Sequence, residues 1–203
     1  MEQIMKQTVE SLKKNNFDAR YFETAKEAVE ALLQEIGKDE TVGIGGSMTV
    51  KELGLDTLLK ERGNTVFWHW LEGTPEGMNQ ARASAATADV YLSSTNALTQ
   101  DGKLVNTDGM GNRVTSMVYG PKRTIVICGK NKIAENLDAA LERIENNAYK
   151  NARRLKLNTP CAINEHCIDC SSPQRMCNIT TIVRKNPGKT AISVFLINEE
   201  LGY

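Results

Sequence analysis

Apolar positions along this chain alternate between a helical and a strand rhythm. Ile4, Met5, Val9 and Leu12 recur at helical spacing, and residues 19–22 then read as a short strand. Thr24-Ala25-Lys26-Glu27 has the form of a capping box. Behind it Val29, Leu32, Leu33 and Ile36 share one face, and Gly37 closes the helix. Residues 41–44 predict a buried strand that runs at once into Gly45-Gly46-Ser47 and a helix through Leu53. Residues 65–68 give the next strand. Thr74-Pro75 supplies an N-cap and a first helical residue, ahead of a small-residue face of Met78, Ala81, Ala85 and Ala88.

Strand patterns return at 89–92, and at 97–100 and 103–107 on either side of Asp101-Gly102, a hairpin signal. Residues 123–128 are strongly apolar, and Ile133, Leu137, Leu141, Ile144 and Ala148 predict a long amphipathic helix. Residues 180–184 and 191–197 flank Asn186-Pro187-Gly188 and predict a closing hairpin. Alternating strands and helices imply an α/β fold, a three-layer sandwich with a mostly parallel sheet. The expected organisation is an α/β domain over residues 1–157. A cysteine-rich metal-binding loop and closing β-hairpin, residues 158–203, would pack on the same domain.

Composition narrows the function classes. Lys+Arg and Asp+Glu balance at 25 each over 203 residues, so no global basic field points to nucleic acid. No run of about twenty apolar residues appears, and the opening MEQIMKQTVESLKK is polar and amphipathic. Neither a membrane span nor a signal peptide is expected, which implies a cytoplasmic, reducing setting. In that setting Cys161, Cys167, Cys170 and Cys177, spaced C-x5-C-x2-C-x6-C, read as ligands of one metal centre rather than a disulfide framework. Zinc sites usually pair two short hooks, whereas only Cys167 and Cys170 form one here. The favoured cofactor is therefore a [4Fe–4S] cluster, with zinc as the alternative. Between Lys150 and Lys189, eight basic residues face only Glu165 and Asp169, a balance that suits a thiolate-bound centre.

Two polar segments are candidates for a ligand site. The stretch Gly45, Gly46, Ser47, Met48 and Thr49 lies between a strand and a helix, where free backbone N–H groups and two hydroxyls can receive an anion. It is not a P-loop, because no Gly-Lys-Ser/Thr follows. The second is a glycine-rich rim containing Asn96, Asn106, Asp108, Gly109, Asn112 and Arg113. There Arg113 can clamp a carboxylate or phosphate and Asp108 can act as a base. Glu72, after Trp68-His69-Trp70, and Asp101 are the other candidate catalytic carboxylates. His166 beside Cys167 is an alternate ligand, and Cys128 reads as a buried, inert thiol.

Several segments together carry a family resemblance: Gly43-Ile44-Gly45-Gly46-Ser47, Ser94-Thr95-Asn96-Ala97-Leu98, Asn106-Thr107-Asp108-Gly109, and Gly120-Pro121 running into residues 124–128. Over about residues 1–160 the chain resembles the LUD-domain, lactate-utilization protein C-like family, here with a cysteine-rich C-terminal extension. The resemblance implies the fold of ribose-5-phosphate isomerase and the CoA transferases, with a small anionic ligand held at the glycine turn. It also implies an iron–sulfur accessory or electron-transfer role in oxidation of lactate or a related organic acid. A redox partner subunit or dehydrogenase would accompany it, and a homodimer is an option. The alternative is an isomerase- or CoA-transferase-like enzyme, or a ligand-binding module, with a structural zinc site.

Overall fold

The computed structural model describes residues 1–203. The N-terminal half comprises α1 (Glu2–Lys14), β1 (Asp18–Phe22), α2 (Ala25–Glu35), β2 (Val42–Ile44), α3 (Met48–Glu52), α4 (Leu55–Glu61), β3 (Val66–Phe67), α5 (Pro75–Ala85) and β4 (Val90–Ser93). The remainder runs β5 (Ala97–Thr99), β6 (Leu104–Asp108), α6 (Asn112–Val118), β7 (Arg123–Gly129), β8 (Ile133–Ala134), α7 (Leu137–Arg154), α8 (Pro160–Asn164), β9 (Ile179–Val183) and β10 (Ala191–Ile197). The local signals act as expected at the helix starts. Thr24 and Glu27 form a reciprocal capping box on α2, and Thr74 caps α5 with Pro75 in its first turn.

The main sheet has six strands in the order β1-β10-β7-β4-β2-β3, all paired in parallel. Its inner strands are apolar on both faces, as a sheet covered by helices requires. On one face Ile44, Leu92, Ile125, Ile127, Phe195 and Ile197 pack against α2, α3 and α4. On the other, Tyr91, Val126, Cys128, Val194 and Leu196 meet Met5, Val9 and Leu12 of α1. Cys128 is fully buried and its thiol is pushed up to about 12 by desolvation, which makes it the inert thiol expected. No helix is long and apolar enough to cross a membrane.

A second sheet, β8-β5-β6-β9, stands beside the first. The Asp101-Gly102 hairpin joins β5 to β6 as the pattern predicts, and its turn leans on α1, with Asn15 Nδ2 donating to the Asp101 and Gly102 carbonyls at 2.9 and 3.0 Å. Leu98 and Leu104 join the α1 core, while Ala97 and Val105 face α7.

The structure departs from the sequence expectation in two places. Residues 180–184 and 191–197 do not form a hairpin. β9 pairs with β6 in the small sheet, while β10 enters the main sheet between β1 and β7. Two strands joined by a short turn usually pair, but β10 finds two long apolar partners in parallel register and is buried almost throughout. The fold therefore does not end at residue 157, and the cysteine segment is an excursion inside it. Ile133 belongs to β8 rather than to the long helix, which starts at Leu137 behind the Asn136 cap.

β10 is therefore expected to be indispensable. Phe195→Ala, which removes a fully buried ring between two strands, should lower unfolding free energy by about 3–5 kcal/mol in denaturant titrations. A loss below about 1 kcal/mol would contradict its central place.

Candidate functional site

Between the carboxyl ends of β2, β3 and β4 and the small sheet lies a cavity of about 500 Å3. Chain order reverses here, since β3 lies to one side of β2 and β4 to the other. Open α/β sheets commonly bind ligands at such a point.

Of the residues expected to bind an anion, Gly46, Ser47 and Met48 line the cavity from the glycine turn, and Asn96, Asp108, Gly109, Asn112 and Arg113 line it from the rim. Gly45, Thr49 and Asn106 stand behind that surface. Gly45 answers a packing demand, because a Cβ there would sit 2.8 Å from the Tyr91 hydroxyl and 3.0 Å from Arg113 Cγ. Ser47 Oγ accepts from Val50 N at 3.2 Å and so caps α3. The candidate carboxylates separate. Asp108 lines the cavity, whereas Glu72 and Asp101 do not, and Asp101 is ion-paired to Lys103 at the distant hairpin turn.

Arg113 is only 7% exposed and every N–H of its guanidinium is engaged. Nε donates to Asp108 Oδ1 at 3.2 Å, Nη1 to Asn106 Oδ1 at 2.6 Å and to the Ser94 carbonyl at 3.4 Å, and Nη2 to Asn96 Oδ1 at 2.9 Å and the Thr107 carbonyl at 3.0 Å. Asp108 in turn accepts from the Arg113 backbone N–H at 3.1 Å. This arginine braces the rim and has no N–H left for a ligand.

Five more cations line the cavity; Arg154 and Arg175 come from the basic stretch around the cysteines, and Arg175 is ion-paired to Asp169 at 2.6 Å. Arg82, Lys132, Arg143, Arg154 and Arg175 line the same cavity with Arg113, and Asp108 is the sole carboxylate among the lining side chains. Arg82 Nε is buried without any partner. Its Nη1 donates to Asn79 Oδ1 at 2.9 Å, and its Nη2 makes no hydrogen bond within the protein. Arg143 spends Nε and Nη1 on the Asn131 and Asn96 carbonyls at 2.8 and 2.6 Å. Arg154 stacks over Trp70, 4.4 Å from the ring centroid. Lys132 is 4% exposed and makes no ion pair; its Nζ donates to Ser94 Oγ at 2.9 Å and Thr49 Oγ1 at 3.0 Å. Desolvation, with Arg143 and Arg113 nearby, lowers its protonation to about 7. His69 is held neutral, down to about 4, by burial and by Arg82 and Arg154. No residue-type motif marks these side chains. Their spacing in sequence is unrelated, and only the fold gathers them.

The cysteine loop forms one wall. Cys177 lines the cavity with Gln174, Arg175, Met176 and Asn178. The loop is fastened to the rim where Asn178 N donates to the Asp108 carbonyl at 2.9 Å and Asn178 Nδ2 to the Gly109 carbonyl at 3.1 Å. All four thiols are free and partly exposed. The Cys177 thiol is raised by burial first, opposed by Arg175, and raised further by Cys167, Cys170 and Cys161, so the other three thiols lie within electrostatic reach of it. Arg175 donates to the Cys170 carbonyl at 2.6 Å and the Cys177 carbonyl at 3.2 Å. In donor chemistry and charge this set suits a thiolate-bound metal, although no three His, Cys, Asp or Glu side chains converge at metal-ligand geometry. His166 is exposed and lies outside the cavity lining.

Two consequences can be measured. Arg113→Met strips a buried carboxylate and two amide oxygens of their donor, and should cost about 3–5 kcal/mol of stability in denaturant unfolding. His69 has a folded value near 4 against an ordinary 6.5, so the unfolded chain binds the extra proton between them. Stability attributable to His69 is therefore complete above pH 6.5 and is lost as pH falls towards 4. His69→Gln should flatten that part of the pH–stability profile, and an unchanged slope would contradict the assignment.

The comparisons agree with this architecture. A DUF162 family protein from Deinococcus radiodurans, solved by crystallography, superposes with a TM-score of 0.55 at 11% identity, covering 97% of each chain. That likeness concerns the fold. No curated protein matches the chain significantly. The LUD domain matches residues 5–197, which takes in β10 and the cysteine loop as parts of the domain rather than an extension beyond it. The chain belongs to the LUD-domain family.

Proposed function

We propose that the cavity binds a small organic-acid anion. In this reading the protein serves oxidation of lactate or a related acid, as an iron–sulfur accessory or electron-transfer component. The observation that carries the anion reading is the lining charge: six cationic side chains surround one carboxylate, and that carboxylate is already paired with Arg113. A cavity so lined, with low-dielectric walls, concentrates anions and favours their desolvated binding. The Nη2 groups of Arg82 and Arg143, neither of which makes a hydrogen bond within the protein, are the donors available to a carboxylate. Of the three candidate carboxylates, only Asp108 is in contact with the cavity.

Cys161, Cys167, Cys170 and Cys177 would hold a [4Fe–4S] cluster, which supplies one-electron transfer when bound. Arg175 would balance its negative charge. Cys177 is common to the thiol set and the cavity lining, and this supports a role in which ligand and cluster influence each other. A dehydrogenase or redox subunit is the partner that such a component requires.

Trp70 lines the cavity, so ligand entry should alter tryptophan emission. Titration with lactate should be saturable, and Arg82→Gln should weaken it by about tenfold, the effect of losing one charge-assisted hydrogen bond. Equal affinity in the variant would contradict the reading. Protein purified without oxygen should carry about four irons and four sulfides per chain, with a paramagnetic signal on reduction that Cys170→Ser abolishes. Colourless protein with stoichiometric zinc would instead make the loop a structural staple on an isomerase-like or ligand-binding domain.

A further inference from the structure

Lys132 is the most unusual side chain at the site. It follows β7 in a single tight turn, Lys130–Lys132, that folds the lysine inward rather than to solvent. Buried lysines ordinarily meet a carboxylate. This one meets two hydroxyls, Ser94 Oγ at 2.9 Å and Thr49 Oγ1 at 3.0 Å. Ser94 follows β4 and Thr49 lies on α3. The chain leaves the amine little slack, since a Cβ on Gly202 would lie 3.3 Å from Nζ and 2.7 Å from Thr49 Oγ1.

We propose that Lys132 is a covalent carbonyl-binding residue, whose amine condenses with a 2-oxo acid held in the cationic cavity. The proposal rests on the small-anion reading of that cavity. The nitrogen lone pair forms the new C–N bond as the carbonyl π electrons move to oxygen, which takes up a proton. That proton comes from nitrogen, and the resulting hydroxyl then leaves with the second nitrogen proton as one water, which gives the imine. No electrons are gained or lost, and no co-reactant is needed. The Ser94 and Thr49 hydroxyls, each in hydrogen-bond contact with nitrogen, can pass the proton between nitrogen and the departing oxygen.

The groups that face Lys132 favour a free amine. Burial and the charges of Arg143 on α7 and Arg113 on α6 oppose protonation, while Glu52 on α3 and Cys128 on β7 favour it. Cys128 is kept as a neutral thiol, so its opposition vanishes near neutral pH. A lysine in such surroundings is a nucleophile at physiological pH. The substrate class follows from Arg143. Its charge is close enough to act on Lys132, and its Nη2 has no protein partner. A ligand that places a carboxylate on Arg143 and a carbonyl carbon on Lys132 carries the two groups close together, as a 2-oxo acid does.

Borohydride added to the full-length protein with pyruvate should trap one reduced adduct per chain, and peptide mass mapping should locate it at Lys132. Lys132→Arg, whose guanidinium is not a nucleophilic amine, should lose the adduct. Lys132→Met, which removes a buried amine, should also lose it. Pyruvate quenching with no adduct at Lys132, or adducts scattered over surface lysines, would overturn the covalent role and leave the anion reading standing. Neither quenching nor adduct would overturn both.

Discussion

Arg113 is the interaction on which the site depends. Its guanidinium binds β6 through Asp108, Asn106 and the Thr107 carbonyl, and the segment after β4 through Ser94 and Asn96. One side chain thus joins the carboxyl end of the main sheet to the small sheet. The Asn96 and Asn106 amides reinforce it, since Asn96 N donates to Asn106 Oδ1 at 3.1 Å and Thr107 N to Asn96 Oδ1 at 2.9 Å. A buried charge is tolerable only when its donors and counter-charge are satisfied, and here both conditions hold. The glycine at position 45 makes room for this brace. The cavity lies beside this fixed junction, with Arg113 and Asp108 in its lining.

Around the junction the charges are sorted by their partners. Arg113 and Asp108 neutralise each other and serve the scaffold. Arg82, Lys132, Arg143 and Arg154 stand at the cavity surface with no carboxylate among their ion pairs. Gathering like charges in a cavity opposes folding, because each raises the cost of its neighbours and of burial. The arrangement is intelligible as stability given up for anion binding. The cysteine loop adds the sixth cation, Arg175, and closes the same space through Cys177 and Asn178, so loop and cavity form one structural unit.

Much of the fold was legible from the chain alone, because its signals are local. The α2 capping box, the Thr74-Pro75 start of α5 and the Asp101-Gly102 hairpin each depend on neighbours within a few residues. Strand order is not local. Nothing in residues 179–197 says that β9 and β10 part company and enter different sheets. The rim was legible as a polar, glycine-rich segment, yet Arg113 reads there as a free clamp, because sequence does not reveal that its donors are spent. Lys132 and Arg82 carried no signal at all. A lysine in Gly129-Lys130-Asn131-Lys132 looks like surface charge until β7 and the turn after it point the side chain inward.

Titration calorimetry with matched acid and amide ligands tests the central claim most directly. The account predicts that a small 2-hydroxy or 2-oxo acid binds saturably at one site per chain, with affinity that falls as ionic strength rises. Its neutral amide, equal in size and shape, should bind at least tenfold more weakly, since it lacks the charge that the uncommitted arginines answer. Equal affinity for acid and amide, or binding indifferent to salt, would contradict an anion site and remove the basis for assigning this cavity a part in organic-acid chemistry.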